Sequence, residues 1–144
     1  MLRTAAASSM GTANIETRAG DLDAAEAALR SGIEELDAVG DRGFYSTVVC
    51  LLAEVLVNRG REEEAAAWCA RARETASPSD LATVAQVEAL ESLLPARRGD
   101  HAQGERLARS AVAMLAGSDF SNLTAGARML LARPRRVRQA VRGA

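Results

Sequence analysis

Histidine and lysine, two side chains that often carry catalysis, are nearly or wholly missing from this chain of 144 residues. His101 is the only histidine, so a histidine-based metal site or a histidine-activated nucleophile would lack its second member. All 18 basic residues are arginine, and lysine is absent. The absence of lysine excludes a glycine-rich phosphate-binding loop that ends in Lys-Ser or Lys-Thr. We therefore predict a protein that is not an enzyme and that binds no cofactor or metal.

Two cysteines lie on either side of a predicted turn. Cys50 and Cys69 stand at nearly equal distances from Gly60 along the chain, so an antiparallel helical hairpin would place them at similar heights. A redox-active disulfide is one interpretation of that spacing. We favour a pair of buried thiols, because buried cysteine is common and disulfides are rare in cytosolic proteins.

Two short motifs resemble ligand sites but have simpler structural explanations. The tripeptide Arg-Gly-Asp at 98–100 matches an integrin-binding motif, yet Arg-Gly-Arg at 59–61 occupies the same turn of the repeat described below. The three glutamates at 62–64 could bind a cation, yet carboxylates in the first turn of a helix are stabilised by the helix dipole. We interpret both motifs as structural, and we expect His101 to be exposed in the first turn of a helix.

The charge of the chain is uneven, although the net charge is −1. Residues 1–119 contain 12 arginines and all 19 acidic residues, whereas residues 120–144 contain six arginines and no acid. Such a segment could contact nucleic acid or an acidic surface. Because no aromatic residues interleave to stack on bases, we favour a disordered basic tail over residues 133–144 and do not expect a nucleic-acid partner. A contact of the tail would use Arg133, Arg135, Arg136, Arg138 and Arg142.

Two series of residues repeat along the chain. Glycines end apolar stretches at three almost evenly spaced turns: Gly20, Gly60 and Gly99. Aspartates mark a second, evenly spaced set of breaks: Asp41, Asp80 and Asp119. Two interleaved series with one spacing indicate a repeated unit of two segments, as in helical-hairpin solenoids.

The segments between these breaks predict helices. Apolar residues recur at steps of three and four, and there is almost no alternation typical of strands, so the fold class is predicted to be all-α. Helices are expected over about residues 2–18, 21–39, 44–59, 62–76, 81–94, 100–116 and 119–132. We expect a left-handed C-cap at Gly60 and an N-cap at Ser79 or Asp80. Pro95 should kink or end the fifth helix, because an interior proline costs about 3 kcal/mol.

The segment from Leu52 to Ala72 resembles a tetratricopeptide repeat (TPR). Its large and small residues follow the TPR order at Leu52, Ala53, Val55, Leu56, Gly60, Ala65, Trp68 and Ala72. A second copy has Gly20, Leu22, Ala25 and Leu29, and a third has Gly99, Leu107 and Ala111. The third copy departs from the pattern at Pro95 and Gly104. The resemblance implies a right-handed superhelix of about three helical hairpins plus a seventh helix within residues 1–132.

A more specific resemblance covers about residues 13–131. The stretch GDRGFYSTVVCLLAEVLVNRGREEEA and the turns that follow it are similar to the C-terminal TPR region of bacterial multidomain regulators. These include ATPase-linked adenylate or guanylate cyclase-like proteins and antibiotic-regulatory-type transcription factors. The resemblance implies a non-catalytic scaffold that binds another protein or domain.

In TPR proteins the first helix of each hairpin lines a concave groove. On this chain the resemblance implies seven candidate groove residues: Thr47, Cys50, Glu54, Asn58, Thr83, Gln86 and Glu91. Two alternatives stay open, namely a nucleic-acid-associated regulator that uses the basic tail and a fragment that forms homo-oligomers through exposed solenoid ends.

The sequence also bears on location. The apolar run at residues 5–7 is far shorter than the roughly 7–15 residues of a signal peptide core. No apolar run approaches the roughly 20 residues that cross a bilayer. We therefore expect a cytoplasmic protein without a membrane partner.

Overall fold

The computed structural model describes the backbone of residues 2–116 and the side chains of residues 8–116. Two compact units divide the chain after Ser77. Within the described backbone the regular structure is helical and contains no strand, which confirms the all-α class for this part of the chain. The first unit holds α1 (Leu2–Ala19), α2 (Leu22–Val39), α3 (Tyr45–Asn58) and α4 (Glu62–Thr75), and the second holds α5 (Leu81–Glu91), α6 (Leu93–Arg97) and α7 (His101–Leu115).

The first unit consists of two helical hairpins packed side by side. Helix α1 packs on α2, α3 packs on α4, α2 joins the hairpins by packing on α3, and α1 also touches α3. The core between them is closed, with large side chains that are fully buried: Leu29, Tyr45, Leu52, Leu56 and Cys69. Helix α3 is buried along most of its length, as its nearly continuous apolar sequence indicates.

The three turn glycines adopt the left-handed conformation, which was predicted for Gly60. The φ angles are +84° at Gly20, +77° at Gly60 and +91° at Gly99. At Gly60 the backbone N–H donates to the carbonyl of Val57 (3.1 Å), and the next N–H donates to the carbonyl of Leu56 (3.0 Å). This is the pair of hydrogen bonds of a Schellman cap, and glycine suits it because an L side chain is strained at positive φ. The predicted C-cap at Gly60 is confirmed.

Aspartates start several of the helices. Asp80 accepts a hydrogen bond from the backbone N–H of Thr83 (3.1 Å), which confirms it as the N-cap of α5. Asp21 and Asp100 cap α2 and α7 in the same way. Asp41 instead accepts from the N–H of Gly43 (2.8 Å) within the turn between α2 and α3. The Asp-containing breaks therefore separate hairpins by more than one kind of turn.

The expected interruption near Pro95 is present in the second unit. Helix α5 ends at Glu91, α6 begins at Leu93, and Pro95 lies within α6. Ser92 between them is fully buried, and its hydroxyl donates to the carbonyl of Ala89 (2.6 Å). This hydrogen bond satisfies the polar side chain of Ser92, which is buried at the break between the helices.

Gly104 is explained by this interruption. A Cβ placed on Gly104 would lie 2.7 Å from the carbonyl oxygen of Ser92 and 3.0 Å from the Cβ of Ala96. Helix α7 therefore approaches the α5–α6 junction more closely than an alanine would allow. The departure of the third copy from the repeat pattern is a packing requirement of that copy.

Part of the prediction lies outside the described residues. The expected helix at 119–132, Asp119 and the basic tail with its arginines all fall beyond residue 116.

Candidate protein-binding cleft

A small cleft opens between α1 and α3 in the first unit. Its volume is about 50 Å³, and it is lined by Ala13, Asn14, Thr17, Leu29, Leu51, Glu54 and Val55. The side chains of Ala13, Leu29 and Val55 are at most 3 % exposed. Leu51, Thr17 and Glu54 are half-buried, and Asn14 is exposed. The cleft thus combines apolar walls with amide, hydroxyl and carboxylate groups.

The size of the cleft limits what it can bind. Sites for drug-sized molecules typically have volumes of roughly 300–1,000 Å³, and this cleft is far smaller. It can take one small side chain of a larger partner that lies across α1 and α3. Asn14 is held in place for such a contact, because its Nδ2 donates to the carbonyl of Met10 one helical turn earlier (3.0 Å).

The repeat builds this cleft from equivalent positions. Asn14 and Glu54 stand at the same distance before a turn glycine, Gly20 and Gly60 respectively, and both line the cleft. Sequence reasoning missed Asn14, Thr17 and Leu51, because it assigned groove residues on the third and fifth predicted helices only. The equivalence of Asn14 and Glu54 in the repeat was the signal that could have identified Asn14.

The candidate groove residues of α3 have different environments. Glu54 lines the cleft, Thr47 is half-buried, and Asn58 is exposed at the end of the helix. Cys50 is 0 % exposed and cannot meet a partner on the surface. The prediction that Cys50 lines the groove is corrected, because Cys50 lies on the inner side of α3 and its side chain is in the core.

The candidates of the second unit divide in the same way. Gln86 and Glu91 are half-buried on α5. Thr83 is only 4 % exposed, although it lies in the first turn of α5. Thr83 is therefore also removed from the set of accessible groove residues, whereas a groove role for Gln86 and Glu91 stays a prediction.

A charged cluster joins the two hairpins of the first unit around one carboxylate. Glu26 on α2 is only 7 % exposed. Its carboxylate accepts hydrogen bonds from Arg30 Nε (2.8 Å), Arg59 Nη1 (2.7 Å) and Arg61 Nη1 (2.9 Å). Arg30 and Arg61 also bind Glu64 on α4, and Arg59 pairs with Asp23. We call these residues the Glu26 cluster: Asp23, Glu26, Arg30, Arg59, Arg61 and Glu64.

The arginines favour the ionised form of two carboxylates in this cluster, those of Glu26 and Glu64. Burial raises the pKa of Glu26, but hydrogen bonds and charges from Arg30 and Arg61 outweigh it, so the pKa lies below its usual value. The hydrogen bond from Arg30 is the main reason that the pKa of Glu64 is also lowered. Burial lowers the pKa of Arg30, but its hydrogen bonds to Glu64 and Glu26 reverse this, and the net shift is upward. Glu64 therefore pairs with arginines, which accounts for it without a bound cation.

Aromatic side chains extend the contact between the hairpins. Tyr45 is fully buried, and its hydroxyl donates to Asp37 (3.2 Å) while accepting from Arg71 Nε (2.6 Å). The guanidinium of Arg42 lies over the Tyr45 ring, 4.7 Å from its centre. Trp68 on α4 has the guanidinium of Arg30, which lies on α2, 5.8 Å from its ring centre. These contacts brace the hairpins that form the cleft.

The structure also gives the positions of the cysteine pair, the Arg-Gly-Asp motif and the single histidine. Cys50 and Cys69 are buried thiols without a disulfide between them. In the Arg-Gly-Asp motif, Asp100 caps α7 by accepting from the N–H of Gln103 (3.0 Å). His101 is half-buried instead of exposed, in a helix that packs against α6. Its Nδ1 atom is buried and has no hydrogen-bond partner among the described residues.

The described part of the chain holds neither a metal-binding cluster nor a membrane span. Among the described residues there is no group of three or more His, Cys, Asp or Glu side chains that could hold a metal ion. Within the same residues no helix is both long enough and apolar enough to cross a membrane. Comparison with protein-family models, curated proteins and solved structures finds no match to the chain.

Proposed function

We propose that this protein is a non-catalytic scaffold that binds another protein, and that a peptide or helix of the partner lies across α1 and α3. The observation that carries this proposal is the cleft between these helices, which has an apolar floor and a polar rim. Its small volume favours a side chain of a larger partner over a metabolite. The Glu26 cluster and the core of the first unit supply a rigid support, so binding needs little ordering of the scaffold.

The same proposal includes a TPR-like right-handed superhelix. Its support is the burial of small residues at two equivalent positions after each turn glycine, the first being Ala25, Ala65 and Gly104 and the second Gly32, Ala72 and Ala111. Small residues at these positions let paired helices approach closely. We propose further that the chain acts in the cytoplasm as the TPR arm of a signalling or transcriptional regulator. The nucleic-acid alternative depends on residues beyond 116 and stays a prediction.

Site-specific photo-cross-linking tests the binding proposal. A benzophenone amino acid is placed at Asn14 or at Asn58, two exposed positions on α1 and α3, in the full chain expressed in its own cells. Glu34 is the matched control, because it is exposed on α2 and lies outside the cleft. We expect one adduct of defined mass from Asn14 and Asn58 after irradiation.

The control defines the outcome that contradicts the proposal. Adducts of the same mass and yield from Glu34 would show that capture does not depend on the α1–α3 face. Absence of any adduct from Asn14 and Asn58, with the variants folded by circular dichroism, would also overturn the proposal.

A further inference from the structure

Two arginines and one carboxylate converge around Tyr45 in the first unit. The guanidinium of Arg42 lies 4.7 Å from the centre of the Tyr45 ring, and that of Arg71 lies 5.4 Å from it. Both arginines also bind Asp37, through Arg42 Nη1 (3.1 Å) and Arg71 Nη2 (3.5 Å). The two guanidiniums are therefore held beside each other, and a single carboxylate balances only one of their two positive charges.

These arginines are exposed and have unused hydrogen-bond donors. The side chains of Arg42 and Arg71 are 59 % and 49 % exposed. An arginine has five N–H groups, yet among the described residues Arg42 donates hydrogen bonds only through Nη1, and Arg71 only through Nε and Nη2. The half-buried Trp68 adds a donor next to Arg71, whose guanidinium lies 5.8 Å from its ring centre. The indole N–H makes no hydrogen bond to a described residue. We call these residues the Tyr45 patch: Asp37, Arg42, Tyr45, Trp68 and Arg71.

Unused donors on three neighbouring side chains favour a phosphoryl group as the ligand. A carboxylate is planar, and one guanidinium can satisfy both of its oxygens with two parallel hydrogen bonds. A phosphoryl group has three strong acceptor oxygens and a charge of about −1.5 to −2 at pH 7, so it can accept from several donors at once. The excess positive charge of the Tyr45 patch attracts such a group, and the stacked guanidiniums are already in place to receive it.

The exposure of the Tyr45 patch indicates what carries the phosphoryl group. Small ligands bury about 70–90 % of their surface in concave sites, whereas Arg42 and Arg71 are about half exposed. A free phosphate compound would stay largely in water there, but a phosphorylated side chain of a protein brings further contacts from its neighbouring residues. The patch shares no residue with the lining of the cleft between α1 and α3. We propose that the Tyr45 patch binds a phosphorylated side chain of a protein partner, independently of that cleft.

Peptide selection on the immobilised full chain tests this proposal. The probe is an equimolar pool of synthetic peptides whose central residue is phosphoserine, serine or glutamate and whose neighbouring residues are randomised. We expect the phosphoserine peptides to be enriched. The tightest of them should bind at least about tenfold more tightly than its glutamate counterpart and than inorganic phosphate.

Arginine variants then locate the site of binding. Arg42→Gln and Arg71→Gln should each weaken binding of the selected phosphopeptide at least about fivefold, because each removes charge-assisted hydrogen bonds. Arg106→Gln is the matched control, since Arg106 is exposed on α7 in the second unit, and it should bind like the wild type. The wild type gives a second readout that no unstable variant can obscure. Trp68 is the only tryptophan, so its indole N–H signal in the ¹⁵N-labelled chain should shift saturably with the phosphopeptide.

Several results would overturn the proposal. These are a lack of enrichment of phosphoserine peptides, equal affinity for the glutamate counterpart, and an unmoved Trp68 indole signal. An equal loss of affinity in Arg71→Gln and Arg106→Gln would also contradict binding at the Tyr45 patch. If inorganic phosphate bound as tightly as the selected phosphopeptide, the assignment to a protein partner would be wrong.

Discussion

Removing the charge of Glu26 tests directly how much the Glu26 cluster stabilises the first unit. Glu26→Gln keeps the shape of the side chain but removes the charge on which three arginines converge. Hydrogen bonds to charged groups contribute about 1.5–3 kcal/mol each, but the arginine side chains are 27–41 % exposed, so solvent screens much of the loss. We expect a net loss of about 2 kcal/mol, since the amide retains one hydrogen-bond acceptor.

Thermal unfolding at neutral pH measures this loss directly. In a unit of this size, 1 kcal/mol corresponds to about 4–8 °C, so the midpoint of the first unit should fall by about 8–16 °C. Glu34→Gln on the same helix is the control, because Glu34 is exposed. A midpoint change in Glu26→Gln no larger than that of the control would refute the assignment of the cluster as a stabilising clamp.

The pH dependence provides a second check on the same variant. The pKa of Glu26 is lowered in the folded protein by its arginine partners, despite burial that raises it. The contribution of the ionised Glu26 to the free energy of unfolding is therefore complete above the ordinary glutamate pKa of about 4.3. It is lost as the pH falls through the pKa that Glu26 has in the folded protein. The difference in the free energy of unfolding between the wild type and Glu26→Gln should be constant above about pH 5 and shrink below it. A difference that persists unchanged at pH 3 would contradict this reasoning.

Three glycine substitutions should change the free energy of unfolding, measured with heat or urea, in different directions. Gly104→Ala should destabilise the second unit by about 1–2 kcal/mol, because the overlap of its Cβ with the Ser92 carbonyl outweighs the gain of about 1 kcal/mol in helix propensity. Gly11→Ala should stabilise the chain by about 0.5–1 kcal/mol, since Gly11 lies inside α1 and, among the described residues, no atom beyond its own stretch of helix comes within 4 Å of the new Cβ. Gly60→Ala should cost about 1 kcal/mol because of its left-handed φ of +77°. Equal effects at positions 11 and 104 would show that packing does not decide the outcome.

The turns and helices were predictable because their physical requirements are local. A left-handed turn needs glycine at Gly60, and a helix start gains from a carboxylate such as Asp80, so the spacing of these residues marks the breaks. The interruption near Pro95 follows from the missing N–H of proline. These features need no knowledge of which helices touch.

The tertiary features required the structure. Helical phase alone put Cys50 and Thr83 in the groove, but burial depends on which neighbours cover each face, and both are in the interior. Gly104 looked like an irregular repeat until its approach to Ser92 was visible. Two of the three arginines around Glu26, Arg59 and Arg61, could not be assigned from sequence either, because they lie far along the chain and reach back from the next turn.

The central claim is that a partner binds across α1 and α3, and an affinity measurement tests it most directly. Leu51→Arg places a long charged side chain in the cleft, while Ala67→Arg places the same side chain at an exposed site on α4. For the partner captured by cross-linking, we expect Leu51→Arg to weaken binding at least about tenfold, equivalent to about 1.4 kcal/mol, with Ala67→Arg close to wild type. Equal affinities for the two folded variants would contradict a binding site between α1 and α3.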